Sequence, residues 1–155
     1  MVDTNIKINF NDYKTNIKID NYINIENFPN IIIYGASGTG KYSYALNLIK
    51  QFSKSELKYY KKILISNNKT DYYVKISDIH FEIDMEILGC NSKILWHEIF
   101  CQIVDIISVN SIKIGFIVCK NFHMIHSELL EIFYSYIQQY NHSQTSIYIK
   151  FILIT

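Results

Sequence analysis

The chain has 155 residues, of which 49% are apolar and 19% charged, so a disordered tail is excluded and one domain fits better than two. Fifteen basic residues face fourteen acids, for a formal net charge of +1, which argues against a strongly basic nucleic-acid binder. Every one of those cations is lysine; without arginine, no planar bidentate guanidinium can clasp phosphate from within the chain.

Ile, Lys, Asn, Tyr and Phe supply over half of the residues, a skew toward AT-rich codons that reads as genome bias before design. No apolar run approaches the ~18 residues of a membrane-spanning helix. The first residues, with Asp3, Lys7 and Asn11 spread through them, lack a signal-peptide core. Cys90, Cys101 and Cys119 are odd in number and have no CxxC spacing, which points to a reducing, intracellular compartment, nuclear or cytoplasmic. His123 and His126 would share a face if they lay on a helix; with no other ligand cluster they read as solvated histidines rather than metal ligands.

Residues 1–27 alternate Ile or Phe with Asn, Asp and Lys, as in Ile6–Phe10 and Ile17–Ile25, and form an N-terminal segment of strand or loop character. Pro29 closes it. Ile31-Ile32-Ile33-Tyr34 is a β-branched run, the mark of a buried strand in a parallel sheet. The glycine cluster Gly35–Gly40 follows, and then Ala45, Leu48, Ile49 and Phe52 recur at helical spacing. Three strand-like runs come next, Lys62–Ser66, Tyr72–Ser77 and Ile79–Asp84, with Asn67-Asn68 as a turn signal. From Asn91 the period is helical again, with Ile94, Leu95, Ile99, Ile103 and Ile106 on one face. Ile112–Val118 is a strand, Leu129, Leu130, Phe133, Tyr136, Ile137 and Tyr140 mark a third helix, and Ile147–Ile154 is a last strand. The expected fold is α/β, a parallel sheet flanked by crossover helices, over residues 28–155. A chain that stops inside its last strand, at Thr155, reads as incomplete at the C-terminus.

Gly35-Ala36-Ser37-Gly38-Thr39-Gly40-Lys41-Tyr42 fits GxxxxGK and misses only the final Ser or Thr. Glycines let successive backbone N–H groups curl around an anion, the following helix N-terminus adds partial positive charge, and Lys41 reaches the outer phosphates. Placed between a buried strand and an amphipathic helix, the motif predicts a P-loop that cradles ATP through Gly35 to Lys41, with Tyr42 and Ser43 opening the helix. Mg²⁺ fits poorly. Tyr42 holds the position whose short hydroxyl would coordinate the metal, and Ser43 should point about 100° away. After the Ile114–Val118 strand, Cys119 and Lys120 stand where a metal-binding and a catalytic acid belong. Little or no hydrolysis by the chain alone is expected, and no residue is assigned a catalytic role.

Phe28-Pro29-Asn30-Ile31-Ile32-Ile33-Tyr34-Gly35 resembles the lead into the loop of replication factor C small subunits, clamp loaders of the AAA+ family. Lys41-Tyr42-Ser43 is similar to one branch of those subunits. Ile76-Ser77, His80-Phe81-Glu82-Ile83, Gly89, Asn91, Lys93 and Glu98 follow a more particular stretch of the family, and Tyr136-Ile137-Gln138-Gln139-Tyr140 ends a helix as the family's does. The resemblance spans about residues 28–154. It implies an AAA+-type, ATP-binding module in DNA replication, with other clamp-loader subunits and a sliding clamp as partners, at a replication site that could be viral. DNA would be reached only through the assembly; Lys58, Lys61 and Lys62 read as solvated lysines. Residues 1–27 lack the family's adenine-holding segment, the acidic pair is replaced, and the sensor residue, trans-acting arginine, lid and collar would have to follow Thr155. Two alternatives stay open: a generic degenerate P-loop domain serving as an interaction module, and a weak ATPase that borrows catalytic groups from a neighbour.

Overall fold

A computed structural model describes residues 28–67, 70–89, 92–141 and 146–155. The N-terminal runs Ile6–Phe10 and Ile17–Ile25, and Asn68 of the turn signal, lie outside the described residues.

Six strands form one sheet: β1 (Ile31–Ile33), β2 (Lys61–Asn67), β3 (Thr70–Ile76), β4 (His80–Asp84), β5 (Ile114–Lys120) and β6 (Tyr148–Ile154). Their spatial order is β1-β6-β5-β4-β3-β2. Three helices accompany them: α1 (Lys41–Lys50), α2 (Ser92–Val109) and α3 (Ser127–Asn141). β1, β6, β5 and β4 run parallel, whereas β3 and β2 are antiparallel to their neighbours. The expectation of a parallel sheet therefore fails for one third of the strands. The reason is connection length: β2–β3 and β3–β4 are joined by links of two or three residues, and a parallel pair needs a crossover of a dozen or more.

The helices divide between the two faces. On one, Ala45, Leu48 and Ile49 of α1 pack with Phe116, Val118, Ile152 and Ile154. Phe28, Phe52 and Phe116 close that core in mutual contacts, each pair of ring centroids 5.4 Å apart. On the other face, Leu95, Trp96, Ile99, Phe100, Ile103 and Ile107 of α2 and Leu129 and Phe133 of α3 pack on Phe81, Ile83, Ile117, Cys119 and Phe151. Each such large apolar side chain contributes roughly 1.5–3 kcal/mol on burial. The buried stripe of α2 is rotated from the expected one: Trp96, Phe100 and Ile107 are inside, and Ile94 is exposed. Leu130 of α3 is likewise exposed.

Gly115 leaves the space that the Ile107 side chain of α2 occupies against the sheet. A Cβ there would fall 2.2 Å from Ile107 Cδ1, so a larger residue fits only if the Ile107 side chain shifts. Among the described residues β1 pairs only with β6, and Ile32 on it is 64% exposed. No helix among them is long and apolar enough to cross a membrane.

Candidate functional site

The four parallel strands point their carboxyl ends the same way, so four links emerge at one edge of the sheet: Tyr34–Gly40 after β1, Thr155 after β6, Asn121 after β5 and Met85 after β4. Ligands of open α/β sheets bind in the crevice outside such ends. A groove of about 500 Å³ lies there, lined by Gly35, Ser37, Lys41, Asn121, His123, Ile154 and Thr155.

The glycine loop forms one wall. Gly40 caps α1 in the left-handed conformation (φ 79°), and Gly38 has the same φ of 79°, which side-chain-bearing residues adopt only with strain. The Thr39 hydroxyl donates to the Ala36 carbonyl at 2.8 Å. Lys41 Nζ donates to the carbonyls of Gly35 and Ala36, at 2.6 and 2.8 Å, so its ammonium is held over the loop with one of three N–H donors left over. Gly35, Ala36, Ser37, Gly38 and Thr39 are exposed; Gly40 to Tyr44 are half-buried. The loop and the helix N-terminus together offer backbone N–H groups and a cation to an anion.

Beside this wall the chemistry changes. The Tyr42 hydroxyl donates to Glu82 Oε1 at 2.6 Å and accepts from Lys75 Nζ at 3.0 Å. Lys75 lies opposite Glu82 in the β3–β4 register, and its ammonium is 3.1 Å from the same carboxylate. Lys120 Nζ is 3.7 Å from Glu82 Oε2 and 5.8 Å from the centroid of the Tyr42 ring. His80 Nε2 donates to Glu82 Oε1 at 3.0 Å, an orientation fixed by Ser77, whose hydroxyl meets His80 Nδ1 on the far side of the ring. Glu82 is 4% exposed. Burial alone would raise its pKa, but hydrogen bonds from His80, Tyr42 and Lys75 outweigh that and hold it down at about 2. Burial and the carboxylate together push the Tyr42 phenol up, so it stays a neutral donor.

Strand alternation settles what Cys119 and Lys120 do. Cys119 is fully buried in the core beneath α2 and α3, and burial drives its thiol pKa up. It faces away from the loop. Lys120 shares the α1 face with Phe116 and Val118, and Asn121 follows it into the groove. The pair turned toward the loop is thus Lys120 and Asn121, one residue later than the sequence spacing indicates. Asn121 holds a left-handed φ of 52°, and its amide donates to Asp84 Oδ1 at 3.0 Å. Thr155, whose backbone N–H donates to the Ile33 carbonyl at 3.0 Å, is itself part of the groove.

A divalent cation does not fit here. Magnesium demands oxygen ligands in octahedral geometry, and of the two positions expected to supply them, Tyr42 is tied to Glu82 and Lys75, and Lys120 is itself a cation. Among the described residues no three His, Cys, Asp or Glu side chains are grouped to hold a metal. His123 and His126 do not share a helix; His123 sits in the 3₁₀ turn Phe122–Met124 and lines the groove. Asp105 and Glu128 are on α2 and α3, where Glu128 pairs with Lys93 at 2.9 Å. Lys75, His80, Asn121 and His123 carry no motif; the readable signal is His80-Phe81-Glu82, two polar residues at strand spacing in an otherwise apolar run.

The chain matches no family model and no curated protein.

Proposed function

We propose that this chain is a nucleotide-binding module of the clamp-loader type, similar to a replication factor C small subunit. It would hold ATP in the Gly35–Lys41 loop and act in DNA replication by fitting into an AAA+ assembly rather than by hydrolysis of its own. The observation that carries this reading is the convergence of Lys41, Asn121 and Thr155 on one groove at the carboxyl ends of three adjacent parallel strands. β6 lies between the loop strand and β5, so the polar end of β6 reaches the groove from between the cradle and the Lys120–Asn121 end. Phosphates would take the loop N–H groups and Lys41; the nucleoside would extend along the open groove.

The absence of an acid at Lys120 and Asn121 removes the group that would activate water, so the module works as a binder. Partners are other clamp-loader subunits and a sliding clamp, with DNA reached through them. Calorimetric titration with ATP should show saturable binding that falls at least about tenfold in Lys41→Ala. Affinity capture should bring down clamp-loader subunits. ATP binding without such partners would instead favour a generic P-loop interaction module, and no ATP binding would overturn the nucleotide reading itself.

A further inference from the structure

Loops of this type ordinarily use a Mg²⁺ ion to neutralise the outer phosphates, held by a Ser/Thr hydroxyl and a strand-end carboxylate. Here the hydroxyl position is Tyr42, the strand-end position is Lys120, and a second lysine, Lys75, stands against the same phenol. Both ammonium groups are anchored on one carboxylate, Glu82, which is itself buried and bonded to His80 and Tyr42. The arrangement is built rather than incidental. Glu82 lies across from Lys75 in register, and Lys120 is the last residue of the neighbouring strand β5, paired with Asp84.

Charge bookkeeping around the cluster is favourable to an anion. The cleft beside Tyr42 is lined by Lys62, Lys75 and Lys120 against Glu82 and Asp84, while Lys41, the residue before Tyr42, lines the groove that Asn121 enters one residue after Lys120. Asp84 is occupied as well, accepting from the Asn121 amide and the Glu86 backbone N–H. The surplus positive charge therefore gathers around Tyr42 and Lys120, the two positions from which such a loop would hold its metal. A dication placed there would face two ammonium groups, whereas a phosphate would face them with attraction.

Resting on the nucleotide reading above, we infer that Lys75 and Lys120, held by Glu82 beneath Tyr42, take the place of the divalent cation, so that this loop binds a metal-free nucleoside triphosphate. Specificity follows from that substitution: the preferred form of the ligand is the bare tetraanion rather than its magnesium complex.

The test is a calorimetric titration of ATP into the full chain, in excess magnesium and then in EDTA, for the wild type, Lys41→Ala and Lys120→Met. Methionine keeps most of the Lys120 stem and leaves Lys75 paired with Glu82; retained Trp96 fluorescence verifies that the variant folds. Chelation should leave wild-type affinity unchanged or raise it, and Lys120→Met should lose at least about tenfold in EDTA. If Lys120→Met fails to fold, Lys75→Met, on the more exposed strand, takes the same test. Affinity lost on chelation, with Lys41→Ala also defective, would overturn the metal substitution and leave the nucleotide reading standing. A folded lysine variant with wild-type affinity would overturn it too. Absence of ATP binding in both buffers would bring down the nucleotide reading and this inference together.

Discussion

The glycine loop and the Glu82 cluster meet at the first turn of α1, where Lys41 belongs to one and Tyr42 to the other, yet they are put together differently. In the loop, polar groups are exposed, and Lys41 is fastened only to loop carbonyls. In the cluster, a carboxylate buried to 4% exposure is surrounded by four partners from three strands and a helix. An exposed loop with left-handed glycines is suited to receive a ligand and adds little to stability. A buried, fully engaged carboxylate is costly to disturb and fixes the positions of the cations around it. The contrast teaches that the half carrying the GxxxxGK motif is open and polar, as the proposed nucleotide reading requires. The half without a motif is a structural support that carries positive charge.

The largest expected effect is kinetic. With no acid on the loop side of β5, steady-state turnover of Mg-ATP should match buffer, because the general-base contribution of 10²–10⁴-fold has no group to supply it. Turnover that disappears in Lys41→Ala would break the comparison at its root. Next in size is Glu82→Gln. It strips the counter-charge from Lys75 and Lys120, whose side chains are 27% and 37% exposed, and should destabilise the fold by about 1–3 kcal/mol, read by denaturant unfolding with the buried Trp96 as reporter.

The same carboxylate makes a pH prediction. Its folded pKa, about 2, lies below the unfolded value of 4.5, so the unfolded chain binds the proton more readily. The stabilisation is complete above about pH 5 and is lost as pH falls toward 2, amounting to roughly 3 kcal/mol over that window. Unfolding free energy measured from pH 6 to pH 2.5 should fall more steeply in the wild type than in Glu82→Gln; parallel curves would remove Glu82 from its assigned role. The smallest effect belongs to the loop. Lys41→Ala should alter stability by no more than about 0.5 kcal/mol while removing most ATP affinity, and a large loss of stability there would erase the distinction between the two halves.

The sheet strands were legible because each is a short β-branched or alternating run bounded by turn residues, and α1 and α3 because their apolar spacing is helical. Strand direction around β3 was not read, although the two- and three-residue links there dictate antiparallel pairing. The loop was legible because GxxxxGK is contiguous. The cluster was not, because Lys75, Glu82 and Lys120 lie on three strands and meet only through register, which local patterns do not encode. The one-residue shift from Cys119 to Lys120 has the same origin: period-two alternation fixes that the two point oppositely, and only packing against α1 or α2 fixes which way.

The most direct measurement of the central claim is a crystal structure of the chain grown with ATP and magnesium. The account predicts phosphates cradled by Gly35–Lys41, with the ammonium groups of Lys75 and Lys120 still on Glu82 and no side chain ligating a metal. A Mg²⁺ ion bound by Tyr42, Glu82 or Asp84, with Lys120 swung out of the cluster, would contradict it.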